Sequence, residues 1–219
     1  ALDRLGADLG RGERVNYANR FDRELAGVFE AHEQDWRNGA VVYQVLVDRF
    51  APSARLEHKR DLYPAPKRLR RWDEVPRAGQ YLPDQRLWSH EIEFWGGDLR
   101  SVAARLDHVR TLGADVLYLN PIHHAYTNHK YDALDYLSIS PEFGTRDDLK
   151  ALAADVHRRG MRLVLDGVFN HMGRNAPVFR RAEADPCSPE RQWFDFAPQY
   201  PGGARTWWNA ENLPELNLE

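Results

Sequence analysis

The segment LVLDGVFNH, residues 163–171, carries an apolar run that ends in an acid, an amide and an imidazole. A near-continuous aliphatic run of this kind is typical of a strand buried in a parallel sheet. The polar side chains Asp166, Asn170 and His171 follow where such a strand would leave the sheet. Because sites in (β/α) barrels are built at the carboxyl ends of the strands, this segment predicts one wall of a functional site.

A capped helix, a glycine and an aliphatic strand occur in this order twice along the chain, and the second occurrence ends in this segment. Three strands are predicted in total, over residues 41–47, 115–120 and 162–169. Asp98 and Thr145 are placed to cap the helices between them, and Gly113 and Gly160 to end these helices. The first helix is predicted as one element with a single apolar stripe, formed by Leu99, Val102, Leu106, Val109 and Leu112. Alternating strands and helices predict an α/β fold with parallel pairing and right-handed crossovers.

Three other regions flank or interrupt these units. Residues 1–37 are predicted to form a mostly helical lead-in to residues 38–171, which hold the three strands and two helices. Residues 51–95 lack a steady period and are too long for an ordinary connection, so we interpret them as a functional or disordered excursion. Residues 172–219 are rich in Pro and aromatic residues and are predicted to begin a domain inserted after the third strand.

The bulk composition is that of a globular protein, with 42% hydrophobic residues and a net charge of -3. This charge gives no electrostatic argument for binding nucleic acid or an anionic membrane. The single Cys187 excludes a disulfide within the chain. No apolar stretch approaches the ~18 residues of a membrane span. We therefore expect a cytoplasmic protein with no membrane and no nucleic-acid partner.

A second polar loop, NPIHHAYTNHKYD at residues 120–132, follows the second predicted strand. It offers aromatic rings together with hydrogen-bonding side chains, among them Tyr131 and Asp132. A carbohydrate pocket needs both, because the C–H face of a pyranose stacks on an aromatic ring while its hydroxyls require polar partners. The loop therefore indicates a sugar-binding wall.

Together these segments resemble the α-amylase family, glycoside hydrolase family 13. Residues 166–171 resemble the family's first signature block, and residues 128–132 resemble the branch that contains neopullulanases, cyclomaltodextrinases and maltogenic amylases. Further blocks lie in order at residues 42–44, 48–50, 95–99 and 213–217. The resemblance covers residues 38–219. It implies the first three βα units of a (β/α)8 TIM barrel and part of domain B, the domain inserted after strand three.

The resemblance implies roles for five residues that follow the second and third predicted strands. Tyr131 would stack on the sugar whose bond is cut, and Asp132 would support the pocket beside it. His171 would hydrogen-bond the same sugar, and Asp166 would orient an arginine on the following strand. Asn170 would hold the inserted domain in place, in many relatives through calcium. The structural alternatives are packing for Tyr131, a polar cap for His171, and a local cap or bridge for Asp166.

The activity that the resemblance implies is cleavage or transfer of α-1,4-glucosidic bonds with retention, in maltooligosaccharides, cyclodextrins, starch or pullulan. Such chemistry uses a carboxylate nucleophile and a carboxyl acid/base roughly 5 Å apart, and it requires no cofactor. In the family these catalytic carboxylates follow strands four, five and seven. None is matched in this sequence, so they are expected downstream of Glu219, and the 219-residue piece alone is predicted to be inactive.

Two groups of residues bear on metal binding. Four histidines lie in the two loops, namely His123, His124, His129 and His171. Zinc is not expected at them, because no Cys accompanies them and their spacing matches no zinc pattern. The resemblance implies a calcium site formed by an Asn/Asp-rich loop after strand one and a Gly-Gly-Asp block. Gly96 and Asp98 are retained, whereas residues 51–56 contain no Asn or Asp, which departs from the family pattern.

Two other functions are compatible with the sequence. One is a non-catalytic glucan-binding or regulatory module that ends near Glu219, which binding without turnover would favour. The other is a half-barrel subunit completed by a partner chain that carries the missing carboxylates. Three βα units also leave an open sheet edge, which favours a homo-oligomer.

Overall fold

A computed structural model describes residues 20–218 of the chain. Helix α1, Arg20–Glu33, lies in a first unit that ends at Ala40. All other elements belong to a second unit that begins at Val41. Of the predicted helical lead-in, residues 1–19 lie outside the described part.

The second unit alternates short strands and helices. Its strands are β1 (Val42–Val45), β2 (Arg68–Leu69), β3 (Tyr81–Leu82), β4 (Leu87–Trp88), β5 (Glu93–Phe94), β6 (Val116–Leu119), β7 (His123–Ala125), β8 (Ala133–Ile139) and β9 (Arg162–Leu165). Its α-helices are α2 (Val47–Phe50), α3 (Leu99–Ala103), α4 (Leu106–Thr111), α5 (Arg146–Arg158) and α6 (Pro177–Ala184). Short 3-10 helices lie at Leu56–Leu62, Ser89–Ile92, Pro189–Trp193, Pro201–Gly203 and Trp207–Asn209.

The central sheet has the strand order β1–β6–β9, and all three strands are parallel. Val42 of β1 pairs with Val116, and Leu119 of β6 pairs with Leu165. Helices α3 and α4 follow β1 in the chain, and α5 follows β6. This arrangement confirms the predicted α/β fold with parallel pairing.

The three strands of this sheet are shorter than the sequence predicts. β1 ends where Val47–Phe50 turns into α2. β6 ends at Leu119, shortly before Pro121, whose ring lacks the N–H that a ladder requires. β9 ends at Leu165, which pairs with Leu119, the last residue of β6. One more hydrogen bond follows, from the Asp166 N–H to the Leu119 carbonyl oxygen at 3.0 Å. The polar residues after β9 therefore lie in a loop beyond the strand.

The single helix predicted after Asp98 is in fact two helices, α3 and α4. Arg105, with φ −114° and ψ 10°, leaves the helical region and separates them. Most of the predicted apolar stripe is fully buried in the core against the sheet, at Leu99, Val102, Leu106 and Val109. Leu112 is exposed instead, because α4, the helix that follows the break, ends at Thr111.

The predicted helix caps are confirmed. The Asp98 carboxylate caps α3 by accepting the Ser101 N–H at 2.8 Å, and the Thr145 hydroxyl caps α5. Gly113 and Gly160 follow the helices with φ +80° and +72°. Both helices that precede a sheet strand are thus ended by the residues that the sequence indicates.

The excursion at residues 51–95 is folded, so its interpretation as a disordered segment is wrong. It has an apolar cluster of its own, formed by Tyr63, Leu87, Ile92 and Phe94. The buried Asp48 carboxylate anchors its end by accepting the N–H groups of Trp95 and Gly96, both at 2.9 Å. The C-terminal end of the excursion is therefore hydrogen-bonded to the turn that follows β1.

Gly97 lies where the excursion returns to the core. A Cβ at this position would lie 2.8 Å from the Asp48 carbonyl oxygen and closer still to that of Val47. We expect Gly97→Ala to lower the free energy of unfolding by about 3 kcal/mol, because the backbone would have to shift. Gly27→Ala, where a Cβ would meet nothing within 4 Å, is the control for thermal unfolding. Equal melting temperatures of the two variants would contradict this expectation.

The inserted segment, residues 172–218, folds around its own apolar cluster. The buried members are Met172, Ala176, Phe179, Ala182, Phe194 and Ala204. An antiparallel bridge between His171 and Glu215 joins the segment to the loop after β9, and a second bridge, between Thr206 and Pro214, lies within the segment. None of the described helices combines the length and apolar character that crossing a bilayer requires.

Candidate functional site

A cavity of about 1230 Å³ opens beside the loops that follow β6 and β9. Its lining includes four of the predicted site residues, namely Tyr131, Asp166, Asn170 and His171. The excursion and the inserted segment add aromatic side chains, namely Tyr81, Trp88, Trp207 and Trp208. The structure therefore brings the two polar loops together on one wall, as the sequence predicts.

Tyr131 and Asp166 are hydrogen-bonded across the ends of two neighbouring strands. The Tyr131 hydroxyl donates to Asp166 Oδ2 at 2.9 Å and accepts from Asn120 Nδ2 at 3.2 Å. Burial, together with the hydrogen bond to Asp166, raises the pKa of Tyr131 to about 12. The phenol is therefore protonated at neutral pH, and the hydrogen bonds at its hydroxyl fix the position of its ring in the cavity wall.

His171 is buried at the cavity wall, with 4% of its surface exposed. Its ring stacks on Trp207 at a centroid distance of 5.4 Å. Within the described residues, its Nε2 atom has no hydrogen-bond partner of normal geometry. Burial lowers the pKa of His171, although the backbone of Tyr131 and the charge of Asp132 act in the opposite direction. A neutral imidazole with a free nitrogen is suited to hydrogen-bonding a ligand hydroxyl.

Asp132 is buried and does not line this cavity. Its carboxylate accepts the backbone N–H of Tyr126 at 3.2 Å and that of Thr127 at 3.1 Å, and it also accepts the Thr127 hydroxyl. Asp132 thereby closes the loop that carries Tyr131. This position agrees with a supporting role and gives Asp132 no direct access to a ligand in the cavity.

Glu91 is a site residue that the sequence analysis missed. Its Oε1 lies 3.1 Å from Nε2 of His129, and Nδ1 of His129 accepts the Tyr131 N–H at 3.1 Å. Because Nδ1 accepts, Nε2 carries the proton and donates it to the carboxylate. Glu91 lies in the excursion, 38 residues from its partner, and no periodic pattern marks it.

Asn170 is exposed, and its amide nitrogen lies 3.3 Å from Nδ1 of His171. Its backbone carbonyl oxygen accepts the Leu216 N–H at 3.0 Å. The backbone of Asn170 therefore attaches the inserted segment to the end of β9. Across residues 20–218, no group of three or more His, Cys, Asp or Glu side chains is placed to hold a metal ion.

The residues around Asp98 do not fit the calcium site that the family resemblance implies. Asp98 Oδ1 accepts the Ser101 N–H at 2.8 Å, and Oδ2 accepts from Lys59 Nζ at 3.0 Å and from the Ser53 hydroxyl. Lys59 also donates to the Glu142 carbonyl oxygen at 2.9 Å. An ammonium group in this position already neutralises the carboxylate and would repel a divalent cation.

We therefore expect the Lys59 ammonium, and not calcium, to stabilise the fold at Asp98. Lys59→Met should lower the free energy of unfolding by about 2 kcal/mol, because a buried carboxylate loses a charged hydrogen-bond donor. Lys150→Met, which changes an exposed lysine on α5, is the control. Thermal unfolding of the wild type should be the same in EDTA and in calcium chloride. A calcium-dependent increase in Tm that disappears in Asp98→Asn would contradict this expectation.

Comparison with known proteins gives one family match. The model of the alpha-amylase catalytic domain matches residues 44–215. Among curated proteins, the chain is 33% identical over 240 residues to an amylopullulanase of Thermoanaerobacterium saccharolyticum, covering 98% of the chain and 18% of that protein. It is 40% identical over 169 residues to an intracellular maltogenic amylase of Bacillus subtilis, covering 77% of the chain and 25% of that protein.

The same likeness holds among solved structures. A cyclic α-maltosyl-(1→6)-maltose hydrolase of Arthrobacter globiformis superposes with a TM-score of 0.68 at 35% identity, covering 84% of this chain and 38% of that one. A structure described as a cyclomaltodextrinase superposes with a TM-score of 0.64 at 32% identity. The chain thus spans well under half the length of the relatives that it matches.

Proposed function

The chain belongs to the α-amylase family, and we propose that it is the N-terminal part of a retaining hydrolase or transglycosylase that acts on α-1,4-glucosidic bonds of α-glucans. Its three parallel strands are the first three of the family's (β/α)8 barrel. The observation that carries the proposal is the placement of Tyr131, Asp166 and His171 on one wall of a single cavity.

In this proposal, the chain supplies the substrate-binding side of the active site. The Tyr131 ring stacks on the C–H face of the sugar whose bond is cut. His171 donates a hydrogen bond from Nε2 to a hydroxyl of the same sugar. Asp166 holds Tyr131 through its hydroxyl and orients an arginine outside this sequence. The nucleophile and the acid/base, which retaining chemistry requires, are contributed by residues beyond Glu219.

The substrate class is proposed from the relatives. Their names include amylopullulanase, maltogenic amylase, neopullulanase and cyclomaltodextrinase. We therefore propose maltooligosaccharides, cyclodextrins, starch or pullulan as substrates. The relative named as an intracellular maltogenic amylase supports a cytoplasmic location. Association with a second copy remains a prediction from the open edges of the sheet.

The test uses the intact protein with maltoheptaose, β-cyclodextrin, soluble starch and pullulan. We expect release of new reducing ends, and the first product detected by proton NMR should have the α-anomeric configuration. The isolated 219-residue piece should release none. A first product in the β-configuration would contradict retention. Binding of maltoheptaose by the intact protein without any cleavage would instead favour a glucan-binding module.

A further inference from the structure

The hydrogen bonds of Glu91 continue through an imidazole to the backbone of the residue that the proposed function places against the sugar. Glu91 Oε1 lies 3.1 Å from His129 Nε2, and His129 Nδ1 accepts the Tyr131 N–H at 3.1 Å. The rings of His129 and Tyr131 lie 5.7 Å apart between centroids. A carboxylate of the excursion is thus linked to Tyr131 through a single ring.

The contacts of the His129 ring depend on which of its nitrogens carries the proton. With the proton on Nε2, facing Glu91, the lone pair of Nδ1 accepts the Tyr131 N–H. With the proton on Nδ1, two donors would face each other and this hydrogen bond would be lost. The Thr127 hydroxyl oxygen, 3.1 Å from Nδ1, would accept such a proton, because it donates its own to Asp132. The loop therefore offers a competing tautomer, which the carboxylate disfavours.

Glu91 is ionised at neutral pH, as this contact requires. Burial alone would raise the pKa of Glu91, but the hydrogen bonds from His129 and from the Trp88 N–H outweigh burial and lower it. The Trp88 N–H bond also places Glu91 in a capping box of the 3-10 helix Ser89–Ile92. Capping of this short helix is the structural alternative to a role in the cavity.

The residue between His129 and Tyr131 has a backbone conformation that needs fixed contacts. Lys130 has φ +64°, in the left-handed region that residues other than glycine rarely adopt. Its side chain is fully buried and paired with Glu142. Such conformations persist where the surrounding structure maintains them. The hydrogen bond from the Tyr131 N–H to His129 spans Lys130 and is therefore one of the contacts that hold this path of the loop.

The segment that carries Glu91 is itself attached to the loop. The buried Asn128 donates its backbone N–H to the Glu91 carbonyl oxygen at 2.8 Å. Its side-chain amide donates to the carbonyl oxygens of His90 and Glu93, at 2.7 and 2.8 Å. These three hydrogen bonds fix the carboxylate relative to the imidazole of the next residue, His129.

We propose that Glu91 is a positioning residue for the sugar at Tyr131. Its carboxylate fixes the tautomer of His129, and this ring fixes the Tyr131 backbone and hence the position of the Tyr131 ring. Glu91 transfers no proton and does not touch the sugar in this role. The inference rests on the proposed function, because it takes Tyr131 as the residue on which the sugar stacks.

The test is a double-mutant cycle on the intact enzyme with maltoheptaose as substrate. Glu91→Leu should lower kcat/KM about tenfold or more, because a small misplacement of a group that contacts the substrate is costly. In Tyr131→Ala the ring to be positioned is absent, so adding Glu91→Leu should change kcat/KM less than about twofold. The cycle is repeated with Glu91→Gln, which keeps the side-chain volume and should show a smaller loss that Tyr131→Ala also abolishes.

Glu93→Leu is the matched control. Glu93 lies in the same excursion and is paired with Arg70, and its side chain is 12% exposed, compared with 16% for Glu91. It does not line the cavity. We expect its kcat/KM to equal that of the wild type. Losses that add in both cycles, or an equal loss in Glu93→Leu, would overturn the inference and leave Glu91 with the capping role.

Nitrogen-15 NMR of the intact protein, labelled on histidine, measures the tautomer without reference to activity. The His129 signals, assigned by their loss in His129→Gln, should show the proton on Nε2 in the wild type and partly on Nδ1 in Glu91→Leu. An unchanged tautomer in Glu91→Leu would overturn the inference. If the wild type does not cleave maltoheptaose, the proposed function fails, whereas the NMR measurement still decides whether Glu91 fixes the His129 ring.

Discussion

In the intact enzyme, His171→Phe is expected to lower kcat/KM for maltooligosaccharides by about 100-fold or more, as the loss of one hydrogen bond to a transition state typically does. Phenylalanine keeps a buried ring that stacks on Trp207, whereas it removes the Nε2 donor. Nε2 has no partner of normal geometry in the described part of the chain, and the Asn170 amide that lies 3.3 Å from Nδ1 belongs to an exposed residue, so water can replace that contact. The variant should therefore melt close to the wild type.

The loss of activity in His171→Phe should be the same from neutral to alkaline pH. Burial lowers the pKa of His171, so the ring is already neutral at pH 7 and keeps one proton above it. Steady-state kinetics over this pH range, measured beside thermal unfolding, would check both points. His157→Phe, on the exposed end of α5, is a control. A fall in Tm as large as that of a core substitution would make His171 a packing residue instead.

The sheet was predictable because its signals are local. The aliphatic runs, together with caps such as Asp98 and Thr145, lie within a few residues of the elements that they define. The break at Arg105 was not predictable, because the apolar spacing continues across it. The excursion was not predictable either: its strands are two residues long, and β2 pairs with β5 over a distance of 25 residues (Arg68 with Glu93).

The residues of the candidate site also fall into two groups, those that the sequence predicts and those that it does not. Tyr131, Asp166 and His171 follow predicted strands, and parallel strands bring their carboxyl ends to one edge of a sheet. Glu91 and Trp88 reach the same cavity from the excursion, through contacts that only the folded chain defines. Sequence patterns therefore identify residues that the barrel strands position, and they miss those positioned by irregular segments.

Buried charges connect the excursion to the core. Lys59 and Lys67 come from the excursion and lie beside Asp98 and Glu142, at 3.0 and 3.6 Å. Lys130, from the loop that carries Tyr131, lies 2.6 Å from Glu142. Burial alone would raise the pKa of Glu142, but the charges of Lys130 and Lys67 outweigh it and hold the pKa at about 2. Glu142 is therefore ionised in the folded protein at neutral pH.

Glu142→Leu is expected to lower the free energy of unfolding by about 3–5 kcal/mol, because it leaves the fully buried ammonium of Lys130 without its carboxylate. The double variant Glu142→Leu with Lys130→Met should recover part of this loss, since it removes the fully buried pair of charges but leaves Lys67 without its carboxylate. Glu57→Leu breaks an exposed pair with Arg60 and should change Tm little. If Glu142→Leu were no less stable than Glu57→Leu, the pair would not stabilise the fold.

The ion pair between Glu142 and Lys130 also predicts how the free energy of unfolding changes at acidic pH. The pKa of Glu142 is about 2 in the folded protein, whereas an unperturbed glutamate, as in the unfolded chain, has a pKa of about 4.5. The unfolded chain therefore binds the proton more readily. The contribution of Glu142 is therefore complete above the unfolded pKa and is lost as pH falls from there towards the folded value. In Glu142→Leu, unfolding measured over this acidic range should depend less on pH than in the wild type. An identical pH dependence would show that other carboxylates dominate acid unfolding.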